Sequence, residues 1–165
     1  MPLTPAITDL EQLKSHPSIA KLLAWKSAAV EGAKFDRDEM TIYIERSSIR
    51  EASSLLRTDP NCPFDYLSDV TAVDWYPSDP RFEVVYHLFS MSKKERVRLK
   101  VRLSGDSPSL ESVTSVWPGA NYFEREVFDL FGIRFNGHPY LRRLLMPEDW
   151  EGSPLRKDYP VEGYR

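Results

Sequence analysis

"YLSDVTAVDWYPSDPRFEVVYHLFSMSKKERVRLKVRL", residues 66–103, is cut into three apolar-rich runs by two short turn segments, PSDP at 77–80 and MSKK at 91–94. Connections this short leave no room for a crossover helix, so the runs are expected to be neighbouring antiparallel strands. In the third run Arg96, Arg98, Lys100 and Arg102 alternate with Val97, Leu99, Val101 and Leu103. A period of two places one set toward a core and the other toward water. The chain is therefore read outward from an antiparallel meander.

On the N-terminal side, AAVEGAKFD (28–36) and EMTIYIE (39–45) read as two strands joined by a tight turn around Arg37, because Met40, Ile42 and Ile44 alternate with Thr41 and Tyr43. PSIAKLLAW (17–25) has helical spacing through Ile19, Leu22 and Leu23, with Pro17 suited to a first turn. Ser48 followed by Glu51 has the form of a capping box opening a helix through Ile49, Ala52, Leu55 and Leu56, which TDPNCP (58–63) stops. On the C-terminal side, Asn121 and Glu124 repeat the capping pattern after the turn WPG (117–119). YFEREVFDLF (122–131) then carries Phe123, Val127, Leu130 and Phe131 on one stripe, with Arg125 and Asp129 spaced as an i,i+4 ion pair and Gly132 as the stop. The expected fold is α+β, a mostly antiparallel sheet with flanking helices. Residues 1–16 are expected as a loosely held leader, 17–136 as the domain, and 137–165 as an extended, Pro-rich C-terminal docking segment.

Composition narrows the function. With 165 residues, 41% hydrophobic and 28% charged, the chain suits one globular domain rather than a disordered or fibrous one. A net charge of −3 argues against a dedicated nucleic-acid binder, and no apolar run approaches the roughly eighteen residues that read as a membrane span. The opening MPLTPAITDLEQ has neither a secretory nor a transit pattern. Cys62 stands alone, which points to a reducing compartment; an iron–sulfur cluster needs about four thiolates, so this chain is not expected to hold one by itself. His16, His87 and His138 have no metal-ligand spacing, and the glycines form no phosphate-binding or nucleophile-elbow motif. The expected class is a cofactor-free binding or structural subunit with no catalytic residue.

GHPYLRRLLMPEDWEGSPLRKDYP (137–160) fits that class. Its prolines restrict the backbone, its guanidinium groups Arg142, Arg143 and Arg156 offer forked donors, and Tyr140, Trp150 and Tyr159 are aromatic anchors. It reads as a strap laid on another protein, or else one wrapped over its own domain. Truncation after Asn136 is expected to leave a folded domain that no longer assembles. Glu124, Glu126 and Asp129 read as an ion-paired helix face rather than as proton-transfer acids, and His138, between Gly137 and Pro139, suits an interface hydrogen bond. The basic strand reads as a solvated face; a nucleic-acid or adaptor role for it is the distant alternative.

EREVFDLFGIRFNGHPYLRRLL (124–145) resembles the signature of the thirty-kilodalton subunit of proton-translocating NADH:quinone oxidoreductase, respiratory complex I. The signature's specified places are filled by Glu124, Arg125, Glu126, Asp129, Leu130, Phe131, His138, Arg142, Leu144 and Leu145. LMPEDWEGSPLRKDYP (145–160), FDYLSDVTAVDW (64–75) and RFEVVYHLFS (81–90) are also similar to that family, so the resemblance spans residues 64–160. It implies a noncatalytic peripheral-arm subunit on the cytoplasmic side of a bacterial inner membrane, with indirect membrane contact and no nucleic acid. The implied partners are the large quinone-cavity subunit and the iron–sulfur subunits. The complex is implied to pass electrons from NADH through FMN and iron–sulfur clusters to quinone, coupled to proton translocation, with none of these cofactors in this chain. Glu124, Arg125, Glu126, Asp129, His138 and Arg142, with Arg143, Trp150, Arg156 and Tyr159 of the tail, are then expected to serve docking and folding. Subunits of related quinone oxidoreductases and membrane-bound hydrogenases are the alternative.

Overall fold

The computed structural model describes residues 5–105 and 107–163. The meander forms as expected: β3 (Tyr66–Asp74), β4 (Phe82–Ser90) and β5 (Glu95–Leu103) are antiparallel, with unbroken pairing from Phe82 opposite Leu103 to Ser90 opposite Glu95. β1 (Val30–Asp36) and β2 (Glu39–Ile44) make the expected hairpin. Its two-residue loop, Arg37 and Asp38, has φ of 53° and 63°, the left-handed pair that matches the twist of the flanking strands.

Local alternation did not show how the hairpin joins the meander. β2 lies beside β5 and runs parallel to it, Met40 opposite Val97 through Tyr43 opposite Lys100, giving the order β1-β2-β5-β4-β3. β5 is thus the middle strand. Its residues Val97, Leu99, Val101 and Leu103 join Ile42, Ile44, Phe82, Val84, Tyr86 and Leu88 in the buried core. α2 (Pro17–Trp25), α3 (Ile49–Arg57) and α4 (Ala120–Phe131) add Ile19, Leu22, Ile49, Leu56, Val127 and Phe131 to the same cluster. Each such side chain contributes about 1.5–3 kcal/mol by leaving water.

The basic stripe of β5 is answered from within. Lys100 Nζ lies 2.6 Å from Glu83 Oε1, Arg98 pairs with Glu39, and Arg102 and Arg96 lie over the rings of Tyr43 and Phe89 at 4.5 and 5.2 Å. With Arg98, Lys100 and Arg102 each within ion-pair distance of Glu39 or Glu83, the row offers little to a phosphate backbone.

Several local expectations are corrected. The leader is not loose where it is described: Ile7 and Phe35 exchange backbone hydrogen bonds of 2.9 and 2.8 Å, and α1 (Leu10–Leu13) buries Leu13. This covers part of the open edge of β1. Residues 1–4 lie outside the described residues. Ser48 makes no side-chain cap; it ends a 3-10 turn, Arg46–Ser48, where the Glu45 carboxylate accepts from the Ser47 N–H and the Ser48 hydroxyl. α4 begins at Ala120, before Asn121, again with no side-chain cap. Two short strands, β6 (Ser109–Glu111) and β7 (Arg134–Asn136), form a parallel ribbon that buries Leu110 and Phe135 in regions expected to be loop and lead-in. Among the described residues no helix is long and apolar enough to cross a membrane.

Candidate docking surface

Beyond β7 the chain to residue 163 has turns and bends but no helix or strand, so its position is held mostly by side chains. Asp129, wholly buried near the end of α4, is the first fastening. Its Oδ2 accepts the N–H groups of Leu144, Leu145 and Met146 at 3.0, 2.8 and 2.9 Å, while Arg143 Nη1 donates to Oδ1 at 2.7 Å. Burial alone would raise this carboxyl's pKa; the N–H of Met146, the Arg143 guanidinium and the N–H groups of Leu145 and Leu144 instead hold it below the ordinary value. Arg143 continues the chain of contacts by donating to the carbonyls of Trp150 and Gly152 at 2.7 and 3.1 Å.

The expected Arg125–Asp129 ion pair is therefore corrected. Asp129 faces the tail, and Arg125 donates through Nε and Nη2 to the carbonyls of Arg142 and Arg143 at 3.1 and 3.0 Å. The tail's backbone supplies acceptors to one residue of α4 and donors to another, one turn apart.

A second fastening lies at the end of β3. Asp74 is buried, and Arg81 donates to both its oxygens, Nε to Oδ1 at 2.9 Å and Nη2 to Oδ2 at 2.7 Å. Arg81 also grips Asp158 at 2.9 and 2.6 Å, and the Lys157 N–H donates to Asp74 Oδ2 at 2.9 Å. Burial pushes the Asp74 carboxyl up, but Arg81 and the N–H groups of Lys157 and Tyr76 bring it down to about 2. Between the two fastenings Arg156 donates to the Phe131 carbonyl at 2.7 Å and the Leu155 N–H to that of Leu130 at 2.9 Å. Gly132 caps α4 with φ 71°, and a Cβ there would come within 2.9 Å of Ser153 Oγ and Arg156 Nη2, so this glycine also makes room for the tail.

Glu124 is wholly buried as well, with fewer donors. The Ser112 hydroxyl donates to it at 2.6 Å and the Val113 N–H at 2.7 Å. Burial outweighs both and raises its pKa to about 7. Docking by the Glu124 and Asp129 side chains is thus corrected: neither is exposed, and their hydrogen bonds lie within the chain. The Tyr86 hydroxyl is buried without a hydrogen-bond partner among the described residues, and its pKa is raised by burial and by the charge of Glu124.

The remaining expected residues are distributed along the tail. His138 accepts the Tyr140 N–H on Nδ1 at 3.0 Å, which leaves Nε2–H to donate to the Asn121 carbonyl at 3.2 Å; this is the neutral imidazole, and burial lowers its pKa. Glu126 is exposed and makes no ion pair among the described residues. Trp150 is exposed on the tail, and Tyr159 is half-buried with its N–H donating to the Arg156 carbonyl. The clamp of Asp74, Arg81, Lys157 and Asp158 was not anticipated; nothing local in either segment signals a partner about eighty residues away, as their 77- and 83-residue separations show. Among the described residues no group of three or more His, Cys, Asp or Glu side chains is placed to hold a metal ion.

Residues 42–165 match the family described as "Respiratory-chain NADH dehydrogenase, 30 Kd subunit". An NADH-quinone oxidoreductase subunit of Roseiflexus sp. is 47% identical over 143 residues, 87% of this chain and 82% of that protein. The same-named protein of Xanthobacter autotrophicus is 44% identical over 155 residues, 94% of this chain and 71% of its own length. Two solved structures are similar. A trypsin-resistant fragment of Nqo5 aligns with TM-score 0.54 at 32% identity, over 62% of this chain and 83% of that one. A chain of the membrane-bound sulfane sulfur reductase, an archaeal respiratory membrane complex, aligns with TM-score 0.73 at 27% identity, over 87% and 84%.

These likenesses place the chain in a class of subunit built into multi-subunit respiratory enzymes. Within that class, this chain belongs to the family of the 30 kDa subunit of respiratory-chain NADH dehydrogenase.

Proposed function

We propose that this chain is the thirty-kilodalton-type subunit of a proton-translocating NADH:quinone oxidoreductase, in the peripheral arm on the cytoplasmic side of a bacterial membrane. Its part is docking and assembly, next to the quinone-cavity and iron–sulfur subunits; electrons pass through cofactors in those neighbours and not through this chain. One observation carries the reading: the signature acid Asp129 serves as the fastening of a strap whose outer side exposes Tyr140, Leu145, Trp150 and Leu155. Exposed aromatic and aliphatic groups on a backbone already fixed in place favour protein contact, because little ordering is left to be lost on binding.

The test is affinity purification of the tagged chain from solubilised membranes. Recovery of FMN and iron–sulfur absorbance with NADH-dependent quinone reduction is the expected result, and the purified chain alone should show none of these. A second reading, the equivalent subunit of a related membrane complex with another electron donor, is favoured by the likeness to the archaeal sulfane sulfur reductase chain. Iron–sulfur absorbance without NADH oxidation would select it. Nucleic acid recovered with steep salt dependence, and no chromophore, would remove both.

A further inference from the structure

We infer that Tyr122, Arg125, Tyr140 and Arg142 form a preformed receptor for a carboxylate-bearing segment of a neighbouring protein chain, an inference that rests on the docking function proposed above. The four side chains alternate ring and cation across the junction of α4 and the tail. Arg125 Cζ lies 6.0 Å from the Tyr122 ring centre and 5.7 Å from that of Tyr140, and Arg142 Cζ lies 4.2 Å over Tyr140. Both rings face solvent, Tyr122 at 63% and Tyr140 at 50% of full exposure.

Charge distinguishes this cluster from the other arginines of the tail. Arg143 is committed to Asp129, and Arg156 donates to the Phe131 carbonyl and lies over Phe82. Arg125 meets only backbone carbonyls and rings, and Arg142 meets only the Tyr140 ring; among the described residues no carboxylate lies within ion-pair distance of either. Two guanidinium groups gathered around one exposed ring, with no carboxylate at ion-pair distance among the described residues, leave a local positive charge that an acid on a neighbouring chain would complement.

Part of the site is also fastened before anything binds. Arg125 is held by its two backbone acceptors, and His138 clamps the loop through the Tyr140 N–H and the Asn121 carbonyl. Arg142, lying on the Tyr140 ring, keeps its edge N–H groups free, and that edge is the planar fork that meets a carboxylate; Arg125, whose Nε and Nη2 are taken by carbonyls, adds its charge. The flanking phenol rings add apolar contact and exclude water from the pair. A nucleic acid or lipid surface would call for a longer row of cations than two, so an acidic protein segment is the fitting occupant.

The full tagged chain tests this by recovery of its complex from solubilised membranes. Arg142→Glu is expected to lower recovery roughly tenfold or more, and Arg142→Lys to restore part of it. The urea midpoint of the purified Arg142→Glu chain should stay unchanged, since that side chain fastens nothing but a ring. A photo-crosslinking amino acid in place of Tyr122 should capture a peptide containing Asp or Glu, and reversing that acid's charge should rescue Arg142→Glu. Unaltered recovery with Arg142→Glu, or a cross-link to lipid or nucleic acid, overturns the receptor while leaving the proposed function intact. If the wild-type chain recovers no redox complex, the proposed function falls, and the receptor then stands or falls on the cross-linked peptide alone.

Discussion

Glu124 and Asp129 sit five residues apart on one helix, both wholly buried, and carry opposite protonation tendencies. The difference lies in the donors. Three N–H groups and a guanidinium stabilise charge at Asp129, whereas a hydroxyl and a single N–H do not offset burial at Glu124. Asp129→Ala is expected to destabilise the chain by about 3–5 kcal/mol in urea unfolding, because it strands Arg143 and three N–H groups at once. For Glu124 the folded pKa is raised, so its contribution is complete below its unfolded value near 4.5 and is lost as pH climbs to about 7. Glu124→Gln, which keeps a neutral acceptor and donor, should therefore gain stability relative to wild type across that interval; a difference flat with pH would refute the buried acid. Asp74 works the other way: its contribution is present above about 3.8 and disappears as pH falls toward about 2. Spacing rules read both helix acids as solvent-facing, one in a cap and one in an ion pair. Those rules contain no term for a distant loop or tail approaching the same face.

Among the elements, the meander and the hairpin were legible because alternation tells a strand which face to bury. The parallel contact of β2 with β5 was not, since alternation does not say which strand lies alongside. The β6–β7 ribbon was hidden for a related reason: its strands have three residues each, too few to display a period. The Pro-rich, unpatterned composition of the tail pointed to an extended segment, but the acids that grip it stand at positions 74 and 129, far from it in sequence. This alters the expectation for truncation after Asn136. Removing the tail takes every donor from the Asp129 carboxylate and the Lys157 N–H from Asp74, and charged hydrogen bonds are worth about 1.5–3 kcal/mol each. The truncated chain should accordingly unfold at markedly lower urea concentration than the full chain; an unchanged midpoint would restore the picture of an independent domain.

At the scale of the whole molecule, domain and strap should behave as one cooperative unit. Hydrogen exchange offers the check. The amides of Leu144, Leu145 and Met146 lie in a segment without regular structure, yet they donate to a buried carboxylate. They are expected to exchange at the rate of the last turn of α4, and the Lys157 amide at that of the end of β3; rates typical of a mobile loop would show the strap opening on its own.

The clasp at Asp129 closes on peptide N–H groups and is therefore blind to the letters at positions 144, 145 and 146. Proline is the exception, having no N–H to give. Apart from Arg143, Arg156 and Asp158, the strap is fastened through its backbone, so a chain of this kind can change much of what it presents to a neighbour without undoing what holds it to itself.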